Sequence, residues 1–285
     1  MKDSDMLDDE YGEDIFYKKR ELIVSFEDIL SLSEIEVLKA SPGLTIGEIA
    51  GKDSVAAIIK TSEREDIHSI LPVVIYTGTL YGDWGIVSET VKYIRKEIKK
   101  RYKKEVHNIA CLGSPKLWHA VNGRYLKVLS ERFGFSSPCI ACHLYIHSMV
   151  IPLAKRLNVS LIIAGERESH HGERKINQTP IAIDASLSML KEFGIELVLP
   201  LRYIRDDKEV VSIIGREWSD EDQLACVLEG NYNPLNGTVQ YEESLSYKYF
   251  HYYAFPGLKR IIKGILEGKR LDYTREMGRE LGVGS

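Results

Sequence analysis

Three cysteines are among the residues best suited to chemistry in this chain. Two residues separate Cys139 from Cys142, and Cys226 follows much later in the sequence. Two thiols at this spacing, on a turn that enters a helix, can bind one metal ion because the helix N-terminus favours thiolate and both sulfurs point the same way. The pair therefore predicts a metal or redox site rather than a disulfide framework.

The cysteines alone leave the kind of site open. A structural zinc site requires four protein ligands, so Cys111, His143 or His147 would have to supply the fourth beside the three cysteines. A dithiol redox pair would need a thioredoxin-like setting, which the sequence lacks. Buried and inert cysteines remain the structural alternative.

A second candidate site is the segment 49–54, with the sequence IAGKDS, between a predicted strand and a predicted helix. Backbone N–H groups and the positive end of the helix dipole converge on such a turn, so it can hold a phosphate. Gly51 permits close approach, Ser54 can donate a hydroxyl and Lys52 adds charge. Asp53 can cap the helix or organise a metal–phosphate group. An ordinary capped turn is the alternative.

A dense polar segment runs from residue 165 to residue 178, directly after a predicted core strand. Its carboxylates, Glu166 and Glu168, could ligate Mg²⁺ or position a substrate. Its cations could hold anionic groups, and they are Arg167, Arg174 and Lys175. A solvated loop is the alternative, but α/β enzymes place their sites at such strand ends.

The elements that must position these residues alternate regularly along the chain. Apolar runs predict strands at residues 44–50, 71–76, 107–112, 160–164 and 196–199. Helical patterns lie between them at residues 55–65, 87–104, 144–157 and 181–193. This alternation predicts an α/β fold with a doubly wound, mostly parallel sheet of about five strands.

The remaining chain divides around that core. Residues 1–43 form an acidic tail and lead-in segment, residues 44–229 the core domain, and residues 230–285 a helical and aromatic C-terminal extension. Helices are expected at residues 208–215, 219–228 and 258–266, with a loop at residues 230–237. The aromatic run at 247–255 predicts packing or a subunit contact, as in a homodimer, ahead of base stacking.

Composition restricts the class of protein. The 285 residues are 44% hydrophobic, with a net charge of −4 and a pI near 6.1. No window resembles a membrane span or an export signal, so a soluble, cytoplasmic protein is expected. A nucleic acid would have to meet a local basic patch such as the helix at 92–104, whose alternative role is a solvated surface.

The segment 49–54 resembles the SGGxDS loop of the PP-loop ATP pyrophosphatase superfamily. Gly51 to Ser54 match that motif, whereas Ile49 and Ala50 replace its first serine and glycine. The resemblance implies the adenine nucleotide alpha hydrolase-like fold, with ATP and Mg²⁺ as ligands. It also implies cleavage of ATP between its α- and β-phosphates and adenylation of a substrate oxygen. Thr77 falls where the family turns into its adenosine pocket.

The cysteines resemble those of the PP-loop tRNA 2-thiolation enzymes. In that family a CxxC pair and a distant cysteine bind a [4Fe-4S] cluster, which would here be held by Cys139, Cys142 and Cys226. Three thiolates leave one iron open to an external sulfide. Gly165 and Glu166 stand where the family has a Gly-His motif and join the implied nucleotide site. Catalytic roles are implied for Asp53, Cys139 and Cys226.

The resemblance thus implies an ATP-dependent, AMP-forming sulfur transferase. The expected substrate is a tRNA nucleobase, with a small molecule as the alternative, and the sulfur comes from sulfide or a sulfur-carrier donor. Persulfide chemistry on Cys139 and Cys226 without a cluster is another arrangement. Two rival functions remain: a PP-loop ligase that forms amides or nitriles and carries structural Zn²⁺, and a non-catalytic nucleotide- or redox-sensing module.

Overall fold

The computed structural model describes residues 30–134, 137–170, 174–230 and 242–283. The expected acidic tail at residues 1–14, part of the polar segment (171–173) and most of the expected loop at 230–237 lie outside these ranges.

A parallel sheet organises the described chain. Its order is β4-β2-β1-β6-β7, and a further strand, β5, also pairs with β2. The strands are β1 (Leu44–Ile49), β2 (Ser69–Ile75), β4 (Glu105–Val106), β5 (Ala110–Leu112), β6 (Leu161–Ile163) and β7 (Glu196–Val198). Every pairing within this sheet is parallel. The predicted fold class is therefore confirmed.

Helices cover both faces of the sheet. In chain order they are α1 (Leu32–Ala40), α2 (Lys52–Thr61), α3 (Gly85–Tyr102), α4 (Pro115–Asn122), α5 (Leu126–Phe133), α6 (Cys142–Leu157), α7 (Pro180–Glu192), α8 (Asp207–Ile214), α9 (Glu243–Tyr249), α10 (Phe255–Leu266) and α11 (Tyr273–Gly278). A π-helical turn, Phe250–Ala254, joins α9 to α10.

The two faces have separate hydrophobic cores. On one face, α2, α3 and α8 supply side chains such as Ile58, Ile94 and Ile214. On the other, α6 and α7 pack with the C-terminal helices, and Leu258 of α10 joins the same cluster as Ile162 of β6. The C-terminal helical region is therefore part of the main core, because its apolar face packs against the helices that cover this side of the sheet.

The site region follows from the strand order. From β1 the chain crosses to β2 on one side, whereas β6 pairs with β1 on the other side. The helix after β1 packs on one face of the sheet and the helix after β6 on the other. The carboxyl ends of β1 and β6 therefore lie at a switch point, where doubly wound sheets commonly place their ligands.

The predicted helix at 219–228 is wrong. The chain there forms a 3₁₀ turn, Asp220–Asp222, and a short strand, β8 (Ala225–Cys226). β8 pairs antiparallel with β3 (Leu80–Tyr81) in a separate two-stranded ribbon. The first half of that segment is polar throughout, so a helix there would have no continuous apolar stripe to bury.

The aromatic run at 247–255 packs largely inward. Tyr249, Phe250 and Tyr253 are buried, and the Tyr249 ring meets the Phe133 ring edge-on with centroids 5.9 Å apart. Tyr247 and Tyr252 remain exposed. Across the described ranges, no helix combines the length and the apolar character needed to cross a membrane.

Candidate functional site

The turn between β1 and α2 is organised by one hydroxyl. Ser54 Oγ accepts hydrogen bonds from the backbone N–H groups of Ala50, at 2.9 Å, and Gly51, at 3.1 Å. The same hydroxyl donates to the Gly51 carbonyl at 2.6 Å. Ser54 therefore holds the turn in shape from within, and its hydroxyl is already engaged in the described structure.

Gln223 lies over the N-terminus of α2. Its Oε1 accepts hydrogen bonds from Lys52 N, at 3.2 Å, and from Trp218 Nε1, at 3.3 Å. A Cβ built on Gly51 would come within 2.2 Å of the same oxygen. The carboxamide oxygen thus occupies the position where a helix N-terminus attracts an anion.

Four alternating charges join the turn to α8. Arg167 Nη1 donates to Asp53 Oδ1 at 3.0 Å and to Asp207 Oδ1 at 2.7 Å, and Lys52 Nζ also pairs with Asp207. Arg167 is fully buried, and it further donates to the carbonyls of Ile204 and Arg205. Although burial opposes the charge, Lys52 and Arg167 hold the pKa of the Asp207 carboxyl well below its usual range.

Gly165 brings the end of β6 against the start of α2. A Cβ at this position would lie 2.4 Å from Ser54 N and 2.5 Å from the Asp53 carbonyl carbon. Only a residue without a side chain permits this approach. The contact places Glu166 and Arg167 directly beside the turn.

The three cysteines lie near one another at the same edge of the sheet. The Cys226 thiol donates to Thr79 Oγ1 at 3.3 Å, just past the end of β2. The Cys139 thiol lies 3.8 Å from the Leu228 carbonyl oxygen, and Leu228 N donates to Cys226 Sγ at 3.5 Å. Leu228 therefore bridges Cys139 and Cys226.

Burial sets the protonation of these thiols. It raises the pKa of Cys139 to about 11, with a smaller contribution from the nearby Cys226 sulfur. It raises the pKa of Cys142 to about 12, although Trp118 Nε1 donates to that sulfur at 3.3 Å. Both sulfurs are thus thiols near neutral pH without a bound cation, which would favour thiolate. Cys111 lies apart, buried in β5 with a pKa raised to about 12 by burial.

A histidine–glutamate cluster adjoins the thiols. His143 and His147 stand one turn apart on α6, and Glu166 faces both. Among the residues that the structure describes, this is the one group of three His, Cys, Asp or Glu ligand atoms that all lie within 4.8 Å of one another. A second carboxylate, Glu48 of β1, lies with Oε2 2.7 Å from His147 Nδ1.

The charged groups of this cluster strongly shift one another's pKa values. Burial alone would lower the pKa of His147, but Glu48 and Glu166 on either side outweigh it and raise the pKa to about 10. Burial would likewise raise the pKa of Glu166, but His143 and His147 hold it well below its usual range. Clusters of this kind are concentrated at functional sites.

The structure brings the sequence-predicted residues to one edge of the sheet. The turn at 51–54, Gly165 with Glu166, and the cysteines Cys139, Cys142 and Cys226 all lie there. Thr77 is buried and bonds the Thr79 hydroxyl, next to Cys226. Arg167 and Glu168 instead make internal ion pairs, with Asp53 and Arg202 respectively.

Three further residues escaped the sequence interpretation. Glu48 sits in an apolar strand, where a lone carboxylate was a usable signal of a buried partner. Asp207 and Gln223 gave no such signal, because their partners lie on distant segments: Lys52 is 155 residues from Asp207 and 171 from Gln223.

Comparisons with known proteins give one informative match. No protein-family model matches the chain. A solved structure with some likeness is described as a 4-thiouridine synthetase–RNA complex with bound ATP. It has a TM-score of 0.49 and 15% sequence identity, over 79% of this chain and 53% of that one. This chain therefore spans about half of that protein's length, and a likeness at this level carries no functional argument.

A sequence relative is much nearer. It is described as "Uncharacterized protein MJ0009" from Methanocaldococcus jannaschii, and it is 40% identical over 222 residues. The match covers 77% of this chain and 80% of the relative. The protein therefore belongs to the same family as MJ0009.

Proposed function

We propose that this protein is an ATP-dependent, AMP-forming sulfur transferase of the PP-loop type. One observation carries the proposal: the segment from Gln223 to Leu228 contacts both candidate centres. Gln223 bonds the N-terminus of α2 through Lys52, and three residues later Cys226 lies among the thiols. An ATP-binding loop and three cysteines close together at one edge of the sheet would suit adenylation followed by sulfur transfer.

The turn supplies the groups for ATP. Lys52 N and the start of α2 would take a phosphate oxygen in place of Gln223 Oε1, and Lys52 Nζ would add a positive charge beside the leaving pyrophosphate. Asp53 would help hold Mg²⁺, since its carboxylate lies 18% exposed at the helix start. Thr77 and Gly165 would line the nucleotide pocket.

The cysteines fit a cluster better than a single zinc ion. Zinc at about 2.3 Å from each sulfur would hold the sulfurs within about 4 Å of one another. The three thiols do not form such a compact group among the described residues, in contrast to the His–Glu cluster. A cubane binds each cysteine through a different iron and so suits a wider set. Backbone and indole N–H groups aimed at Cys226 and Cys142 are the contacts that tune such clusters.

The proposed reaction has two displacements. The substrate carbonyl oxygen attacks the α-phosphorus of ATP, and pyrophosphate leaves as the new P–O bond forms. Sulfide then attacks the same carbon, a C–S bond forms, and AMP leaves with the original oxygen. A [4Fe-4S] cluster with three cysteine ligands would supply an open iron position for sulfide. The proposed substrate is a tRNA nucleobase in the cytoplasm, with a small molecule as the alternative.

The test uses protein purified without oxygen, with ATP labelled at the α-phosphate, sulfide and unmodified tRNA. We expect labelled AMP, pyrophosphate and a thiolated nucleoside detected by mass spectrometry, with about four irons per chain. Lys52→Met should lower the rate of AMP formation about 100-fold. Lys60→Met, at the other end of α2, is the matched control and should leave it unchanged.

Three results would contradict the proposal. Release of ADP would rule out cleavage between the α- and β-phosphates. Stoichiometric zinc that is lost in Cys142→Ser, without iron or labile sulfide, would favour a ligase with structural zinc on the cysteines. Absence of any ATP cleavage across tRNA and small-molecule substrates would favour a non-catalytic sensing module.

A further inference from the structure

We infer that His143, His147 and Glu166 form a second metal site, which binds a divalent transition metal such as Zn²⁺. This site uses none of the cysteines and none of the phosphate-loop residues as ligands. The inference therefore stands whether or not the proposed sulfur transfer is correct.

The three ligand atoms already converge. His143 Nδ1 lies 2.8 and 2.9 Å from the two Glu166 carboxylate oxygens, and His147 Nε2 lies 3.2 Å from Oε1 of the same residue. In a tetrahedral zinc site with metal–ligand distances near 2.0–2.1 Å, neighbouring ligand atoms are about 3.3 Å apart. Small side-chain movements therefore suffice to admit an ion.

A buried nitrogen aimed into this cluster lacks a hydrogen bond. His147 is 1% exposed, and its Nε2 has no hydrogen-bond partner among the described residues despite its closeness to Glu166. Leaving a buried ring nitrogen unsatisfied is costly, so native structures rarely do it without a reason. A metal ion between Nε2 and the Glu166 carboxylate would give this nitrogen a partner.

Glu48 provides the outer support that such a ligand needs. Its Oε2 lies 2.7 Å from His147 Nδ1, on the side of the ring opposite Nε2. Metal-binding histidines commonly use their second nitrogen in this way, since the carboxylate fixes the ring orientation and tautomer. Glu48 and Glu166 together also carry the two negative charges that balance a divalent cation.

The donor set selects the class of metal. Two imidazoles and one carboxylate suit zinc and other first-row transition metals, whereas Mg²⁺ prefers oxygen ligands. Three protein ligands leave a coordination position for water or substrate. The His143 side chain is 24% exposed, and so the cluster is open to solvent on its side.

Cobalt titration tests this site against the cysteines. The probe is Co²⁺ added to metal-free protein carrying Cys139→Ser, Cys142→Ser and Cys226→Ser together. We expect one equivalent to bind, with visible d–d absorption and without the intense thiolate charge-transfer band. His143→Ala in this background should weaken binding by at least about 100-fold, and Glu48→Gln by about 10- to 100-fold. His119→Ala, an exposed histidine of α4, is the control and should bind as before.

Failure of the folded triple variant to bind Co²⁺, or unchanged binding in His143→Ala, would overturn the inference. The cluster would then be a buried ion pair between protonated His147 and its two carboxylates. If the triple variant does not fold, the wild-type chain decides the matter. A second equivalent with d–d bands alone, lost in His143→Ala, supports the site, and charge-transfer absorption for every equivalent bound contradicts it.

Discussion

Two groups of buried and partly buried charges flank the carboxyl end of β1, and they differ in how fully their atoms are hydrogen-bonded. On the α2 side, Lys52, Asp207, Arg167 and Asp53 alternate in sign, and each pairs with its neighbour. On the α6 side, His147 Nε2 and Glu48 Oε1 are buried without a hydrogen-bond partner among the described residues. Both groups pair their charges, since His147 also lies between Glu48 and Glu166. The second group differs in its two atoms without a hydrogen bond, which a bound cation would contact under the inference above.

This difference indicates which group stabilises the fold and which group could bind a ligand. The paired charges hold the turn at 51–54 in place without a ligand, and such preorganisation would favour the proposed catalysis, which depends on positioning. Buried polar atoms without hydrogen bonds lower the stability of the folded state, and a ligand that contacts them would restore it. Such atoms therefore indicate a candidate ligand site.

The largest effect is expected from a substitution that breaks the network of paired charges beside α2. Arg167→Ala leaves Asp53 and Asp207 without their shared cation and removes two bonds to carbonyls. The free energy of unfolding should fall by about 3 kcal/mol, because a buried pair has lost one partner. Urea denaturation measures it. Arg64→Ala removes a partly exposed arginine that pairs with Asp66 and should cost at most about 1 kcal/mol. Equal losses in the two variants would refute the network's importance.

A somewhat smaller effect on stability is expected from zinc binding at the His–Glu cluster beside α6. Zinc added at about 100 times its dissociation constant should raise the free energy of unfolding by about 2.7 kcal/mol, and a chelator should reverse the gain. The measurement uses the variant Cys139→Ser, Cys142→Ser and Cys226→Ser, so that zinc cannot bind to these thiols. Thermal unfolding measures the shift. The same addition to a chain that also carries His143→Ala should produce none, and a shift retained there would assign the zinc to other residues.

The smallest effect concerns the carboxamide over α2. Gln223→Ala removes the oxygen that accepts from Lys52 N, so an incoming phosphate no longer has to displace it. We expect pyrophosphate to bind about fivefold more tightly, which corresponds to one hydrogen bond of about 1 kcal/mol. Isothermal titration calorimetry with pyrophosphate measures the change. Weaker binding in this variant would mean that Gln223 helps to hold the anion instead.

The sequence predicted what depends on local pattern. The strand before Gly51, the helix after it and the start of α6 near Cys142 all carry short-range signals, and the structure agrees to within a few residues. The helix expected at 219–228 failed because the partner of β8 is β3, far away in the chain. The polar first half disfavours a helix, and pairing with a distant segment determines the second half.

Long-range pairing also explains what the site prediction missed. Glu48 and His147 are 99 residues apart, and Arg167 and Asp53 are 114 residues apart. Charge alone does not identify such partners, since any carboxylate could meet any cation. Hence Arg167 was expected to bind anionic groups, although its burial beside Asp53 and Asp207 commits it to the fold.

Gly165 limits how sequences in this family can diverge. Any side chain there would push β6 away from the first turn of α2, at Asp53 and Ser54. A relative that retains the crossing of these two elements must therefore keep glycine at this position, even if its neighbours change with the substrate. Replacement of that glycine in a homologue would indicate that the turn at 51–54 has a different structure there.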